Sequence, residues 1–211
     1  MIASGWNDHV VPRLVEAALS ERFTAGWREH ALSGASGRVV EVGFGSGTNL
    51  SHYGDHVTEV LAVEPSEVAW ARSEGRRGAF RRPVTRIGLD GASIGLDDAT
   101  VDSVVTTWTM CTIPDLTAAL DECARVLKPG ARLHFVEHSL SPEPAVSRIQ
   151  QRLQRAWGPV AGGCHLTRDI RAELEDAGFE VEGTARYATR FAPAKPFAWF
   201  VMGTAIKPFD H

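Results

Sequence analysis

The 211-residue sequence predicts an α/β protein: an open, mostly parallel sheet with helices on both faces. Three observations predict it. Short apolar runs alternate with segments of helical periodicity along the chain. Several of those runs are rich in valine with little polar alternation, as strands buried on both faces require. The candidate ligand motifs fall where such runs end, and an open parallel sheet binds its ligands at the carboxyl ends of its strands.

Taken in order, Val10, Val11, Leu14, Val15, Ala18 and Leu19 form one face of a helix, and residues 1–35 are expected to be helical. Strands are expected at 38–42, 59–63, 84–88, 103–108, 132–137, 179–184 and 197–205, with a helix beginning after Gly47. In residues 115–127, Leu116, Leu120, Cys123, Val126 and Leu127 share a stripe that Lys128-Pro129-Gly130 breaks. A helix over 167–177 has Thr167 as its N-cap and stops at Gly178. Residues 141–160 put Val146, Ile149, Leu153, Ala156 and Trp157 on one helical face and Arg148, Arg152 and Arg155 largely elsewhere. Such a helix, in a segment 141–166 inserted after the fifth strand, is expected to serve as a lid over a bound substrate or as a peripheral membrane contact through 142–160. The plainer alternative is a helix packed on the sheet with solvated arginines.

No repeat or linker divides the chain, so residues 1–211 are expected to form a single domain. With 44% hydrophobic and 23% charged residues it has the composition of a globular protein. A net charge of −4 argues against a nucleic-acid partner. Cys111, Cys123 and Cys164 are odd in number and widely spaced, which suits a reducing compartment. The start M-I-A-S-G-W-N-D lacks signal-peptide features, and no apolar run has the length of a membrane span. A cytoplasmic location is the expectation.

The most informative segment is V-E-V-G-F-G-S-G, residues 40–47. Glycine lets the backbone turn tightly and leaves room for a ligand against it. Such a loop also presents backbone N–H groups at a helix start. Glu64 ends the next strand, and a carboxylate there can accept hydrogen bonds from both hydroxyls of a ribose. A tight turn without a ligand and a solvated strand-end charge are the plain alternatives. Together the two features indicate a nucleotide-like cofactor. The spacing is G-x-G-x-G rather than G-x-G-x-x-G, and Glu41 precedes the first glycine.

That arrangement resembles motif I of class I S-adenosylmethionine-dependent methyltransferases. The resemblance continues through G-L-D-G-A-S-I-G-L-D-D-A-T-V-D-S-V-V-T-T-W-T-M-C-T-I-P-D (88–115) and A-R-V-L-K-P-G-A-R-L-H-F-V-E-H (124–138), covering residues 36–140 in order and spacing. It implies a Rossmann-like fold with a seven-stranded sheet whose last strand is antiparallel, and S-adenosyl-L-methionine as cofactor, leaving as S-adenosyl-L-homocysteine. It further implies that Gly43, Gly45 and Gly47 bind the cofactor, with Glu41 near its methionine part, Glu64 at the ribose, Asp90 with Gly91 at the adenine, and Thr107 at the methionine end.

The overall look is that of the ubiquinone/menaquinone methyltransferase type. F-V-E-H-S (135–139) and W-G-P-V-A-G-G-C-H-L-T-R-D (157–169) are similar to the methyltransferase-like group that includes alkyl-thiol S-methyltransferases. A small-molecule acceptor is implied, rather apolar, with a thiol first. C-methylation of a quinone precursor and N-methylation of an amine or phospholipid head group stay open. So, from other classes, do an NAD(P)-dependent oxidoreductase and a non-catalytic cofactor-binding module. A thiol must reach its thiolate, and His138, with Glu137 before it, is the candidate base. A structural histidine is the alternative. Trp108, Cys111, Cys164 and His165 are candidates to line the acceptor pocket. Their spacing matches no metal motif.

Overall fold

The computed structural model describes residues 21–209, so the helical face expected over 10–19 lies outside the described residues. Helix α1 (Glu21–Leu32) leads into β1 (Gly37–Val42). β2 (Val57–Val63), the short helices α2 (Glu67–Arg72) and α3 (Glu74–Ala79), β3 (Val84–Gly88) and β4 (Val101–Thr107) follow. Next come α4 (Leu116–Val126), β5 (Leu127–His138), α5 (Pro144–Val160), α6 (Ile170–Asp176), β6 (Glu180–Tyr187) and β7 (Trp199–Ile206). The seven strands form one sheet in the order β3-β2-β1-β4-β5-β7-β6. β1 to β5 pair in parallel. β7 pairs antiparallel with both β5 and β6. The order reverses between β1 and β4, which opens a crevice at their carboxyl ends.

Alternation along the strands divides the core in two. Val40, Val42, Leu61, Val63 and Val104 pack with Leu120, Cys123, Ile170 and Leu174 on one face. Val39, Val60, Ala62, Val105 and Val136 pack with Trp27, Leu32 and Phe44 on the other. Both faces being covered, these strands read in sequence as unbroken apolar runs.

Several element ends differ from expectation. Lys128-Pro129-Gly130 lies beyond the end of α4, as expected, but already belongs to β5, which was expected to begin only at 132. With Gly130 at φ 74° its N–H donates to the Lys207 carbonyl, and β5 already starts at Leu127, opposite Val101. Asp169, not Thr167, caps α6, its carboxylate accepting from Ala172 N at 3.3 Å. Gly47 starts only a 3₁₀ turn (Thr48–Ser51), because at φ 76° and without a side chain it offers no cap. α5 starts at Pro144 and buries Val146 and Gln150, while Ile149 stays 44% exposed. The Gln150 amide replaces the expected apolar stripe: it donates to the carbonyls of Ser139 and Pro196 and accepts from Ser141 N. A buried amide with its partners met fastens α5 to the end of β5.

Candidate active site

A cavity of about 360 Å³ opens at the carboxyl ends of β1, β2, β3 and β4. Its floor is the glycine loop. Gly43 sits at φ 75° and Gly45 at φ 59°. A side chain on Gly43 would run into Thr109, whereas one on Gly45 meets nothing of the protein closer than the Gly43 carbonyl at 4.0 Å. Gly43 is therefore required by the fold, and Gly45 leaves open space above the loop.

Glu64 lines the cavity at the end of β2. Its two oxygens accept from Gly45 N at 2.6 Å and from Ser66 N at 2.7 Å. Burial pushes its carboxyl above the usual value, against these two bonds. The carboxylate is thus held in one orientation, with lone pairs left for a ligand. Beyond β3, Asp90 and Gly91 line the same cavity. The Asp90 side chain accepts from Ala92 N at 2.9 Å, and the neighbouring Leu89, 58% exposed, offers an apolar surface to a flat ring.

At the end of β4, Thr107 belongs to a buried polar network. Its hydroxyl oxygen accepts from Arg28 Nη1 at 3.0 Å and from Asn49 Nδ2 at 3.1 Å. Arg28 Nη1 also donates to Asn49 Oδ1 at 2.5 Å. Asn49 Nδ2 donates to Glu41 Oε1 at 2.9 Å, and Tyr53 OH donates to Glu41 Oε2 at 2.6 Å. Glu41 is 1% exposed and burial drives its carboxyl up to about 7. Gly43, Gly45, Glu64, Asp90, Gly91 and Thr107 are therefore brought together on the wall, while Glu41 and Gly47 stand behind it. Glu41 reaches the cavity only through Asn49, Arg28 and Thr107. Gly47 packs toward Phe44 and Leu50. Arg28 and Asn49 went unnoticed in the sequence, where nothing in their own neighbourhoods distinguishes them.

The far end of the cavity is formed by Trp108, Thr109, Thr112, Ile113 and Pro114 after β4, with Ala161 and Gly162 after α5. Trp108 sits at φ 51°, a strained conformation for a bulky residue. Its N–H donates to the Val136 carbonyl at 2.8 Å, and its ring lies 5.5 Å from Phe200 and 4.9 Å from the Arg28 guanidinium.

Glu137 and His138 are not on the cavity wall. β5 points them to opposite faces. Glu137 is fully buried, and its Oε1 accepts from Thr109 N at 3.0 Å, so it anchors the loop that carries Trp108 and Thr112. His138 faces Phe200, with Nε2 3.2 Å from the Pro196 carbonyl. Burial lowers its pKa to about 4, so the ring is neutral at pH 7 with Nε2–H donating to that carbonyl. The placement expected of a base is therefore corrected: this imidazole is packed away from the cavity. Cys111, Cys164 and His165 do come together, but behind the wall. The two sulfurs are 3.7 Å apart, and His165 N donates to the Cys111 carbonyl at 2.8 Å.

Burial drives the Glu137 carboxyl from 4.5 up to about 7. The folded protein thus holds a proton that the unfolded chain releases between those values, and the stabilisation present at low pH is lost as pH rises to 7. Glu137→Gln, which cannot ionise, is expected to gain stability relative to the parent over that window, by roughly 3 kcal/mol at 1.36 kcal/mol per pKa unit. Denaturant midpoints of both proteins at pH 5 and pH 8 check it. An unchanged difference would show that Glu137 ionises normally.

Residues 40–135 match a family described as a methyltransferase domain. Thiol S-methyltransferase TMT1B of Rattus norvegicus is 30% identical over 189 residues, 83% of this chain and 74% of that protein. TMT1B of Homo sapiens is 31% identical over 186 residues, with the same shares. A SAM-dependent methyltransferase of Thermotoga maritima, described as a possible histamine N-methyltransferase, superposes with a TM-score of 0.65. It is 20% identical, and the match covers 95% of this chain and 99% of that one.

Proposed function

The chain belongs to the S-adenosylmethionine-dependent methyltransferases, and we propose that its acceptor is the sulfur of a small, rather apolar thiol. The observation that carries this is the far end of the cavity. The side chains from the loop after β4 and from the segment after α5, from Trp108 to Gly162, are apolar or hydroxyl-bearing, and none is ionisable. An ammonium acceptor would need a carboxylate there to take its proton, and a phenolic acceptor would need a base. A thiol titrates near pKa ~8.5 and supplies a few per cent of thiolate unaided. The thiol S-methyltransferases similar to this chain support the same choice. Family membership removes the NAD(P) oxidoreductase alternative.

The cavity fits the cofactor: a glycine floor with open space over Gly45, a fixed carboxylate at Glu64 and an exposed apolar surface at Leu89. When bound, S-adenosylmethionine supplies an already activated methyl group. The protein's part is then positioning and exclusion of water. Glu64 would accept from the ribose hydroxyls, and Asp90 from the adenine amino group beside Gly91. Gly43 and Gly45 let the backbone approach. Thr107 and Arg28 would hold the methionine end, with the guanidinium against its carboxylate, and Glu41 would fix that pair through Asn49. Trp108 shapes the acceptor end, and residues 141–166 cover it through Ala161 and Gly162. Neither His138 nor Glu137 acts as base.

A radiolabelled methyl-transfer screen over alkanethiols, quinols and amines tests the acceptor. Thiols are expected to be methylated fastest, at a rate that rises with pH as the acceptor ionises. His138→Gln should keep that pH profile. Transfer to quinols or amines with none to thiols would refute the proposal.

A further inference from the structure

Outside the cavity, one pair of reactive side chains is left without a task. Cys111, in the loop after β4, and Cys164, in the segment after α5, bring their sulfurs to 3.7 Å although they are 53 positions apart in the chain. Their backbones already run side by side, with His165 N donating to the Cys111 carbonyl at 2.8 Å. A disulfide would draw the two sulfurs from 3.7 Å to about 2.05 Å. Cys111 is buried, whereas Cys164 is partly open to solvent. The flanking residues matter as well. Thr112, Ile113 and Pro114 follow one cysteine, Ala161 and Gly162 precede the other, and all of them line the acceptor end of the cavity. Arg168 bridges the same two segments reversibly, donating to the Met110 carbonyl at 2.6 Å and to the Pro114 carbonyl at 3.3 Å.

We propose that Cys111 and Cys164 are a reversible disulfide site, closed by peroxide and reopened by thiol reductants, that locks the two segments walling the acceptor end. Cys164 is the attacking sulfur: the hydrogen bond it shares with Cys111 and the nearby Arg168 guanidinium both favour its thiolate. Its thiolate displaces hydroxide from hydrogen peroxide and becomes a sulfenic acid. The Cys111 sulfur then attacks the Cys164 sulfur, the S–O bond breaks, and the thiol proton leaves with the hydroxide as water. In sum, two thiols and one peroxide give one disulfide and two waters. The lock follows from geometry. Hydrogen bonds between the segments open and reclose, and a covalent bond does not.

The test uses the full chain, reduced and then exposed to a small excess of hydrogen peroxide, with catalase ending the reaction. Free thiols are blocked with N-ethylmaleimide in denaturant and the digest is mapped without reduction. The expected result is a cross-linked peptide pair containing Cys111 and Cys164, an alkylated Cys123, and full reversal by dithiothreitol. Hydrogen exchange of the amides in 161–166 should slow several-fold in the oxidised protein. It should stay unchanged by peroxide in Cys164→Ser and, as a second variant, Cys164→Ala. Oxidation of Cys164 to a sulfinic acid with Cys111 still alkylated would overturn the proposal, as would two thiols that peroxide leaves intact. A cross-link that leaves the exchange of 161–166 unaltered would overturn the lock. None of these readouts depends on which acceptor the enzyme uses.

Discussion

Glu64→Ala is expected to weaken S-adenosylhomocysteine binding about a hundredfold, on the order of 3 kcal/mol, the worth of two hydrogen bonds to a charged group. The size follows from how the carboxylate is held. Gly45 N and Ser66 N donate one bond each to its two oxygens, so the carboxylate cannot turn away from the cavity. Removing it deletes the acceptors proposed for the ribose hydroxyls and strands two backbone N–H groups beside them. Glu64→Gln should fall between the two, because its amide nitrogen must oppose one of those N–H donors. Calorimetric titration of the three proteins measures this. Affinity unchanged within about twofold in Glu64→Ala would remove Glu64 from the proposed site.

Gly43→Ala should act on the fold itself. The residue sits at φ 75° at the end of β1, and its Cβ would overlap the Thr109 side chain. Backbone strain and overpacking each cost about 1–3 kcal/mol, so the sum is a large part of the stability of a domain this size. Thr109 belongs to the loop anchored by Glu137, so displacing it also moves the wall proposed for the acceptor. Gly45→Ala is the informative contrast. With nothing of the protein near its Cβ, it should lose about 1 kcal/mol of stability while filling space proposed for the ligand. Thermal unfolding and S-adenosylhomocysteine titration of both variants separate the two effects. Equal stability losses at the two glycines would contradict the distinction drawn between them.

What the sequence made legible is what local chemistry decides. Valine runs announced β1, β2 and β4, because a strand covered on both faces has no polar alternation to keep. The glycine loop was legible because only glycine reaches those backbone angles without strain. Glu64 stood out as a carboxylate at the end of an apolar strand. Other features depend on tertiary context. Asn49 and Tyr53 meet Glu41 from a 3₁₀ turn and the residues after it, Arg28 joins from a helix through Asn49, and no period links them. Helices α2 and α3 are six residues each, too short for a helical stripe to show. Gln150 is polar, and its burial depends on carbonyls contributed by Ser139 and Pro196. Glu137-His138 resembled a catalytic pair because adjacent residues read as neighbours, while a strand sends them to opposite faces.

The deciding measurement is a crystal structure of the protein with S-adenosylhomocysteine. The ligand is expected across the ends of β1, β2 and β4, with the ribose hydroxyls within hydrogen-bonding distance of Glu64. Its adenine should lie by Leu89 and Gly91, and its carboxylate at Arg28. Binding in the separate cleft between His30 and Gly183, or in this cavity with Glu64 out of reach of the ribose, would contradict the proposed site.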